Sequence, residues 1–326
     1  MMKKVLSMVL VLVFLMAAGC SAAPASSTPA TASTVKIAAL QGPTALSFLK
    51  MWDDGTKLDG MDAQYDLLQA PDAMVAELAK GTYDIACLPL TTAANLFNKG
   101  TDYRLVGICT WGNMYIVSTD TTITSLAGLS GKTIAVSQQG ATPDVILRYA
   151  LAQAGLSKKV TLDYTLTAHA DLAASVISGQ TKIALMPEPF VSNIIAKNPA
   201  VKIVVDMQQV WASTTGGQPY IPVSAIVVKG TFADANHDAM VDFINAQKTS
   251  AQYTTNVNEL ANLAEKHGVT LPAAAIISGT PRCNIFFKDT TNARTEINNY
   301  FNIILGFSPT DIGGVMPSEA FFATFK

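Results

Sequence analysis

Gln41-Gly42-Pro43-Thr44 decides the fold through what stands on either side of it. Residues 35–40 (Val-Lys-Ile-Ala-Ala-Leu) form a short apolar run of strand length, and residues 45–52 carry the apolar spacing of a helix. A strand, a turn containing glycine and a helix start leave backbone N–H groups without partners at the turn. One such turn is common in α/β proteins. Here it recurs: Gln139-Gly140-Ala141-Thr142 lies 98 positions later, between the apolar run 133–136 and a helical pattern over 143–154. Gly81 and Gly179, Pro89 and Pro187, and Ile85-Ala86 and Ile183-Ala184 keep the same spacing. Four features in one register predict two similar lobes, their turns presenting equivalent helix starts to a shared cleft.

Outward from the two turns, β-like runs alternate with amphipathic helices, which predicts an α/β fold with mostly parallel sheets. In the first copy, strands over 35–40, 62–69 and 83–88 alternate with helices over 44–52, 73–80 and 93–98. Asp72 is placed to cap the second of these helices, Gly81 to close it, and Thr91 or Thr92 to cap the third. In the second copy, strands over 133–136, 160–166 and 182–185 alternate with helices over 143–154 and 171–178. Residues 103–109, 114–117, 201–205 and 223–228 are β-like, and 213–222 is a loop rich in Gly, Thr and Pro. Helices over 238–253, 257–266 and 292–305 are expected to pack on the first lobe. The resulting division is a discontinuous lobe I (34–118 plus 223–326) and lobe II (119–222). Two crossing segments join them, near 118–120 and at 213–222, and make a hinge.

The 326 residues exceed what one hydrophobic core usually organises. With a formal net charge of −2 and only 14% charged residues, nucleic acid is not an expected partner. Lys3 and Lys4 before an apolar stretch over 5–16 read as an export signal. Ala17-Ala18-Gly19-Cys20 resembles a lipobox, with Cys20 as the lipidated residue and 1–20 as the signal peptide. Ala17 stands where Leu is usual, so secretion without lipid is the rival. Residues 21–33, made of Ser, Ala, Thr and Pro, read as a flexible tether. Cys87, Cys109 and Cys283 remain; the first two are able to pair only if their strands lie side by side, and free buried thiols are the simpler reading.

His169, His237 and His267 are scattered and read as surface or capping histidines; no nucleophile elbow or Walker loop is present. No catalytic residue, metal or cofactor is therefore expected. Glu188 stands between Pro187 and Pro189, whose fixed φ holds it rigidly enough to aim at something. If it faces the cleft, it accepts hydrogen bonds from an amino, ring N–H or cationic group; the other reading is an exposed loop acid. The loops 41–44, 88–92, 111–113, 138–144 and 186–190 contain no Lys or Arg. Arg282 is the one basic side chain placed to reach in, and a structural salt bridge explains it equally well. Trp111 and Phe190 either stack on a planar ligand or pack the lobes.

The export segment, the 41–44 turn, Tyr83-Asp84-Ile85-Ala86, Gly131-Lys132-Thr133-Ile134 and Pro187-Glu188-Pro189 resemble the periplasmic-binding-protein-like solute receptors of ABC importers. Within them the likeness is to the nitrate/sulfonate/taurine and thiamine-pyrimidine-precursor branch. It covers residues 34–326 and implies a type II fold, expected to act as a monomer. That fold closes over a small solute and delivers it to a membrane permease and its ATPase. The expected ligand-binding residues are Gln41, Gly42, Pro43, Thr44, Pro89, Thr91, Thr92 and Trp111 on one lobe. On the other lobe they are Gln139, Gly140, Ala141, Thr142 and Glu188, with Arg282 of the C-terminal segment as the base that reaches in. Without a clear basic partner, the expected solute is polar and donor-bearing, such as a heteroaromatic or an amine. The alternatives are a sulfonate or nitrate receptor, a partner of a membrane sensor, and an enzyme on the same scaffold (a pyrimidine-precursor synthase or a menaquinone-pathway dehydratase).

Overall fold

The computed structural model describes residues 34–325; the signal segment, Cys20 and the tether lie outside the described residues. In chain order the strands are β1 (Thr34–Leu40), β2 (Asp62–Leu68), β3 (Ile85–Pro89), β4 (Tyr103–Thr110), β5 (Met114–Ser118), β6 (Thr133–Val136), β7 (Thr161–Asp163), β8 (Ile183–Pro187), β9 (Lys202–Asp206), β10 (Ser224–Lys229) and β11 (Ile285–Asp289). They form two sheets, ordered β11-β4-β10-β3-β1-β2 and β7-β6-β8-β5-β9. In the first, β1 to β4 run one way and β10 and β11 run against them. In the second, β5 alone opposes the other four. The α/β class with mostly parallel strands is the observed one.

The structure carries the repeat. β2-β1-β3 and β7-β6-β8 have the same order and parallel pairing. β3 and β8 are 98 residues apart at both ends, as are the helices Pro71–Ala79 and His169–Ile177. Every residue of β3 and β8 is buried, as expected of parallel strands covered on both faces by helices.

Several local expectations are corrected. Met114–Ser118, read as part of lobe I, hydrogen-bonds between β8 and β9 in the second sheet. The chain therefore changes sheets at Trp111-Gly112-Asn113, where Gly112 turns it at φ 87°. The helix expected over 44–52 is two pieces, Pro43–Leu46 and Leu49–Asp53. Ser47 Oγ donates to the Thr44 carbonyl at 3.0 Å and Phe48 N to Ala45 instead, so the helical ladder stops there. Asp72 does not cap its helix: Pro71 opens it, and Asp72 lies in its first turn, where a carboxylate favours the helix dipole. Thr91 and Thr92 likewise fall inside the helix Leu90–Asn98.

The C-terminal segment touches more than the first sheet. Its helix Ala273–Gly279 packs on Phe190–Lys197, a helix of the second half. Ala45, Leu46 and Leu49 share one apolar cluster with Met186, Phe190 and Leu260, so the two halves are closed on each other. Cys87 and Cys109 sit on β3 and β4, with β10 between them. Two strand spacings put their backbones roughly 9–10 Å apart, beyond the roughly 4.4–6.8 Å that a disulfide spans. Both thiols are free, Sγ to Sγ 3.4 Å.

Gly107 tests the packing of β11 on β4. A Cβ there would lie 2.4 Å from the Lys288 carbonyl oxygen and 2.7 Å from the Phe287 ring. Gly107→Ala is expected to lower unfolding free energy in urea by about 1–3 kcal/mol. Gly306→Ala, with open space around it in the last turn of the helix Thr290–Phe307, is expected to leave it unchanged or raise it by up to about 1 kcal/mol.

Candidate functional site

The carboxyl ends of β1, β3, β6 and β8 converge where the two sheets face each other, the place where open α/β sheets hold ligands. A cavity there offers about 40 Å³ to the centre of a water molecule. Pro43, Pro89, Pro143 and Pro187 give it CH₂ walls that donate no hydrogen bonds. Its polar groups come from Gln41, Thr44, Asn113, Gln138, His169 and Ser224, and no Lys, Arg, Asp or Glu lines it. A wider groove of about 590 Å³ lies outside, lined by Thr92, Gln138, Gln139, Gly140 and Ala141 together with Asp72, Lys99 and Asp311.

The two repeated turns thus front different spaces. Gln41, Pro43, Thr44 and Pro89 border the inner cavity, whereas Gln139, Gly140, Ala141 and Thr92 border the outer groove. Thr91 and Thr142, expected to grip a solute from opposite sides, hold each other. Thr91 N donates to Thr142 Oγ1 at 3.2 Å, and Thr91 Oγ1 donates to the Gly140 carbonyl at 3.3 Å. Nor is the helix start at Thr142 free for an anion. Buried Asp144 accepts from Gly140 N at 2.9 Å, Tyr164 OH at 2.7 Å and Arg148 Nε at 3.0 Å, and Arg148 reaches Asp311 at 2.7 Å.

Gln41 is strapped elsewhere: its amide donates to the Gly268 carbonyl at 3.0 Å and accepts from Thr270 N at 3.3 Å. Thr44 Oγ1 donates to the Leu40 carbonyl. Gly42, at φ 109°, is indeed a point of close approach, but to Phe190: a Cβ there would meet that ring at 3.1 Å. Trp111 is fully buried, stacks on Phe286 at 5.3 Å and donates its indole N–H to the Phe286 carbonyl, so it packs the crossing instead of facing the cavity.

Glu188 and Arg282 are brought together, and away from the cavity. The Glu188 carboxylate is fully buried; Oε2 accepts from Ser192 N at 3.0 Å, and Oε1 from Ser192 Oγ at 3.1 Å and Arg282 Nε at 2.8 Å. It caps the helix Phe190–Lys197 and ties it to the C-terminal segment. Both carboxylate oxygens hydrogen-bond within the protein. The expected ligand acceptor and the expected reaching base are one structural ion pair.

The sequence reading missed Asn113 and His169 as cavity residues. His169 opens the helix His169–Ile177, its Nδ1 lies 2.6 Å from Ser137 Oγ and its ring 5.5 Å from Phe190. One edge meets the cavity, yet burial pushes its pKa down to about 4, so the ring is neutral at pH 7. Its place at a helix start in register with Pro71 was the available signal. Asn113 stands on the crossing between β4 and β5, its Nδ2 donating to the Glu188 carbonyl at 3.4 Å. Among the described residues no group of three or more His, Cys, Asp or Glu is arranged to hold a metal, and no helix is long and apolar enough to cross a membrane.

Two outcomes follow from these contacts. Arg282→Ala leaves a buried carboxylate short of its charged partner and is expected to lower stability in urea by about 1.5–3 kcal/mol. The double variant Glu188→Gln/Arg282→Ala is expected to recover part of that loss. For His169, the unfolded chain takes up a proton below about pH 6.5 that the folded chain refuses until about pH 4. Its contribution is therefore intact above pH 6.5 and lost as the pH falls toward 4. His169→Gln is expected to flatten that part of the stability curve in denaturant titrations at stepped pH.

The sequence profile of the NMT1-like family matches residues 55–266, well over half of the chain. Among solved structures, an ABC transporter from Parabacteroides distasonis is 25% identical, with a TM-score of 0.76 over 90% of this chain and 99% of its own. The alkanesulfonate-binding protein SsuA from Xanthomonas axonopodis pv. citri, bound to MOPS, is 14% identical with a TM-score of 0.68, over 87% of this chain and 95% of its own. The periplasmic nitrate-binding protein NrtA from Synechocystis PCC 6803 is 15% identical with a TM-score of 0.63, over 89% and 93%. The last two likenesses speak for the fold alone. No curated protein matches the chain in sequence. The chain belongs to the NMT1-like family, on the α/β fold of periplasmic solute-binding proteins.

Proposed function

We propose that the chain is the exported solute-binding receptor of an ABC importer. It closes two lobes over a small polar solute and hands it to a membrane permease and its ATPase. The observation that carries this reading is the cavity at the strand ends, lined from both sheets and by no formally charged side chain. The lobes turn about the crossings at 111–113 and 215–223, and lipid on Cys20 holds the monomer at the outer face of the cytoplasmic membrane. The recognised part of the solute is uncharged and bears hydrogen-bond donors, as in a heteroaromatic ring or a neutral amide or amine. Thr44, Pro89, Gln138 and His169 surround it.

The likeness to sulfonate- and nitrate-binding proteins favours an anion as the second reading. Against it, an anion entering this cavity meets no cation. Among the described residues an enzyme reading draws on the Ser137–His169 contact, and Ser137 is buried and does not line the cavity.

Native mass spectrometry of protein purified from its own cells, followed by calorimetric titration of the retained molecule, tests the proposal. The expected result is one uncharged small molecule per chain, bound reversibly and unaltered. Turnover of that molecule would overturn the receptor reading, and a retained sulfonate or nitrate would overturn the neutral solute.

A further inference from the structure

We propose that Asn113 is the specificity-determining residue of the cleft: its Oδ1 accepts a hydrogen bond from a neutral N–H group of the solute, and its place on the crossing links that bond to closure. The inference rests on the receptor reading and names the residue and chemistry through which it works.

Asn113 is 1% exposed and lines the inner cavity. Its backbone carbonyl accepts from Glu188 N at 2.9 Å, and its Nδ2 donates to the Glu188 carbonyl at 3.4 Å. Turning the amide over would set Oδ1 against that carbonyl, acceptor on acceptor, so the orientation is fixed by its surroundings. Oδ1 is then the polar atom that Asn113 has left to offer, and no protein donor meets it. Buried acceptors are nearly always paired, because an unpaired one loses its hydration for nothing. Oδ1 has under 1 Å² of accessible surface in this closed arrangement, too little for a water, so a solute N–H reaches it as the lobes part and close again.

Charge narrows the donor. An ammonium group would need a carboxylate, and the Glu188 carboxylate is closed off by Arg282 and Ser192. An anion would face a carbonyl oxygen with no Lys or Arg lining the cavity. A neutral amide, urea or ring N–H meets both conditions. Size agrees: one water needs at least about 10–15 Å³ of such space, so about 40 Å³ admits a head of a few non-hydrogen atoms.

The crossing that carries Asn113 is gripped from both halves. Asn284 Nδ2 donates to the Gly112 carbonyl, and Met114 N donates to Gln208 Oε1 at 2.9 Å. A bond made at Asn113 therefore loads the segment about which the lobes turn.

Calorimetric titration of the exported chain with acetamide, acetone, methylammonium, methanesulfonate and nitrate tests this. Acetamide and acetone have the same size and differ in the N–H group. The wild-type chain is expected to bind acetamide about tenfold or more tightly than acetone, and Asn113→Ala to abolish that preference. The wild-type ratio decides the matter if the variant does not fold. Equal binding of acetamide and acetone, or preference for an ion, would overturn the role of Asn113 and leave a receptor standing. Silence toward every probe, with no small molecule retained from cells, would remove both.

Discussion

The ion pair between the buried Glu188 carboxylate and the exposed Arg282 guanidinium is the constraint on which the site depends. A carboxylate with no exposed surface is tolerable only when it is paired and hydrogen-bonded, and Ser192 and Arg282 supply those bonds. The same residue's backbone holds Asn113, so the pair fixes the end of β8, the start of the next helix and the crossing between the sheets together. Gly279 lets the C-terminal segment come close enough: a Cβ there would lie 2.7 Å from Glu188 Oε2. Because the pair faces away from the cavity, it withdraws from the cleft the carboxylate and the guanidinium that would otherwise give it a sign. A neutral cleft is the electrostatic result.

A second set of contacts closes the opposite side. Asp144, Arg148 and Asp311 bridge the helix Thr142–Gln153 to the C-terminal segment, while Thr91 and Thr142 join the two helix starts. These contacts use up the repeated turn of the second half, which explains why it fronts the outer groove and not the inner cavity. The repeat built two similar frames, and their side chains then diverged in use. One turn borders the inner cavity; the other serves the closed interface.

Much of the fold was legible because backbone requirements write themselves into sequence. Gly and Pro at a constant spacing marked the matching strand ends and helix stops, and fully buried strands such as β3 and β8 read as apolar runs. β11 was hidden because Ile285–Asp289 is only half-buried and mixes Phe with Lys and Asp. The helix Phe190–Lys197 was hidden behind two prolines. Which sheet Met114–Ser118 joins depends on pairing with β8 and β9, far along the chain, and no local pattern records it. The site was less legible for the same reason. Glu188 looked exposed to a ligand because its partner lies 94 residues away, and Asn113 becomes informative only once its Nδ2 is seen to be committed. His169 looked incidental until the helix it opens was placed against the cleft.

A crystal structure of the protein with the solute retained from its own cells tests the central claim most directly. Density is expected in the inner cavity between Pro89 and Pro187, with a solute nitrogen within hydrogen-bonding distance of Asn113 Oδ1 and the Glu188–Arg282 pair intact. Solute density confined to the outer groove against Asp72 and Gln139, or an anion bound to a freed Arg282, would contradict it.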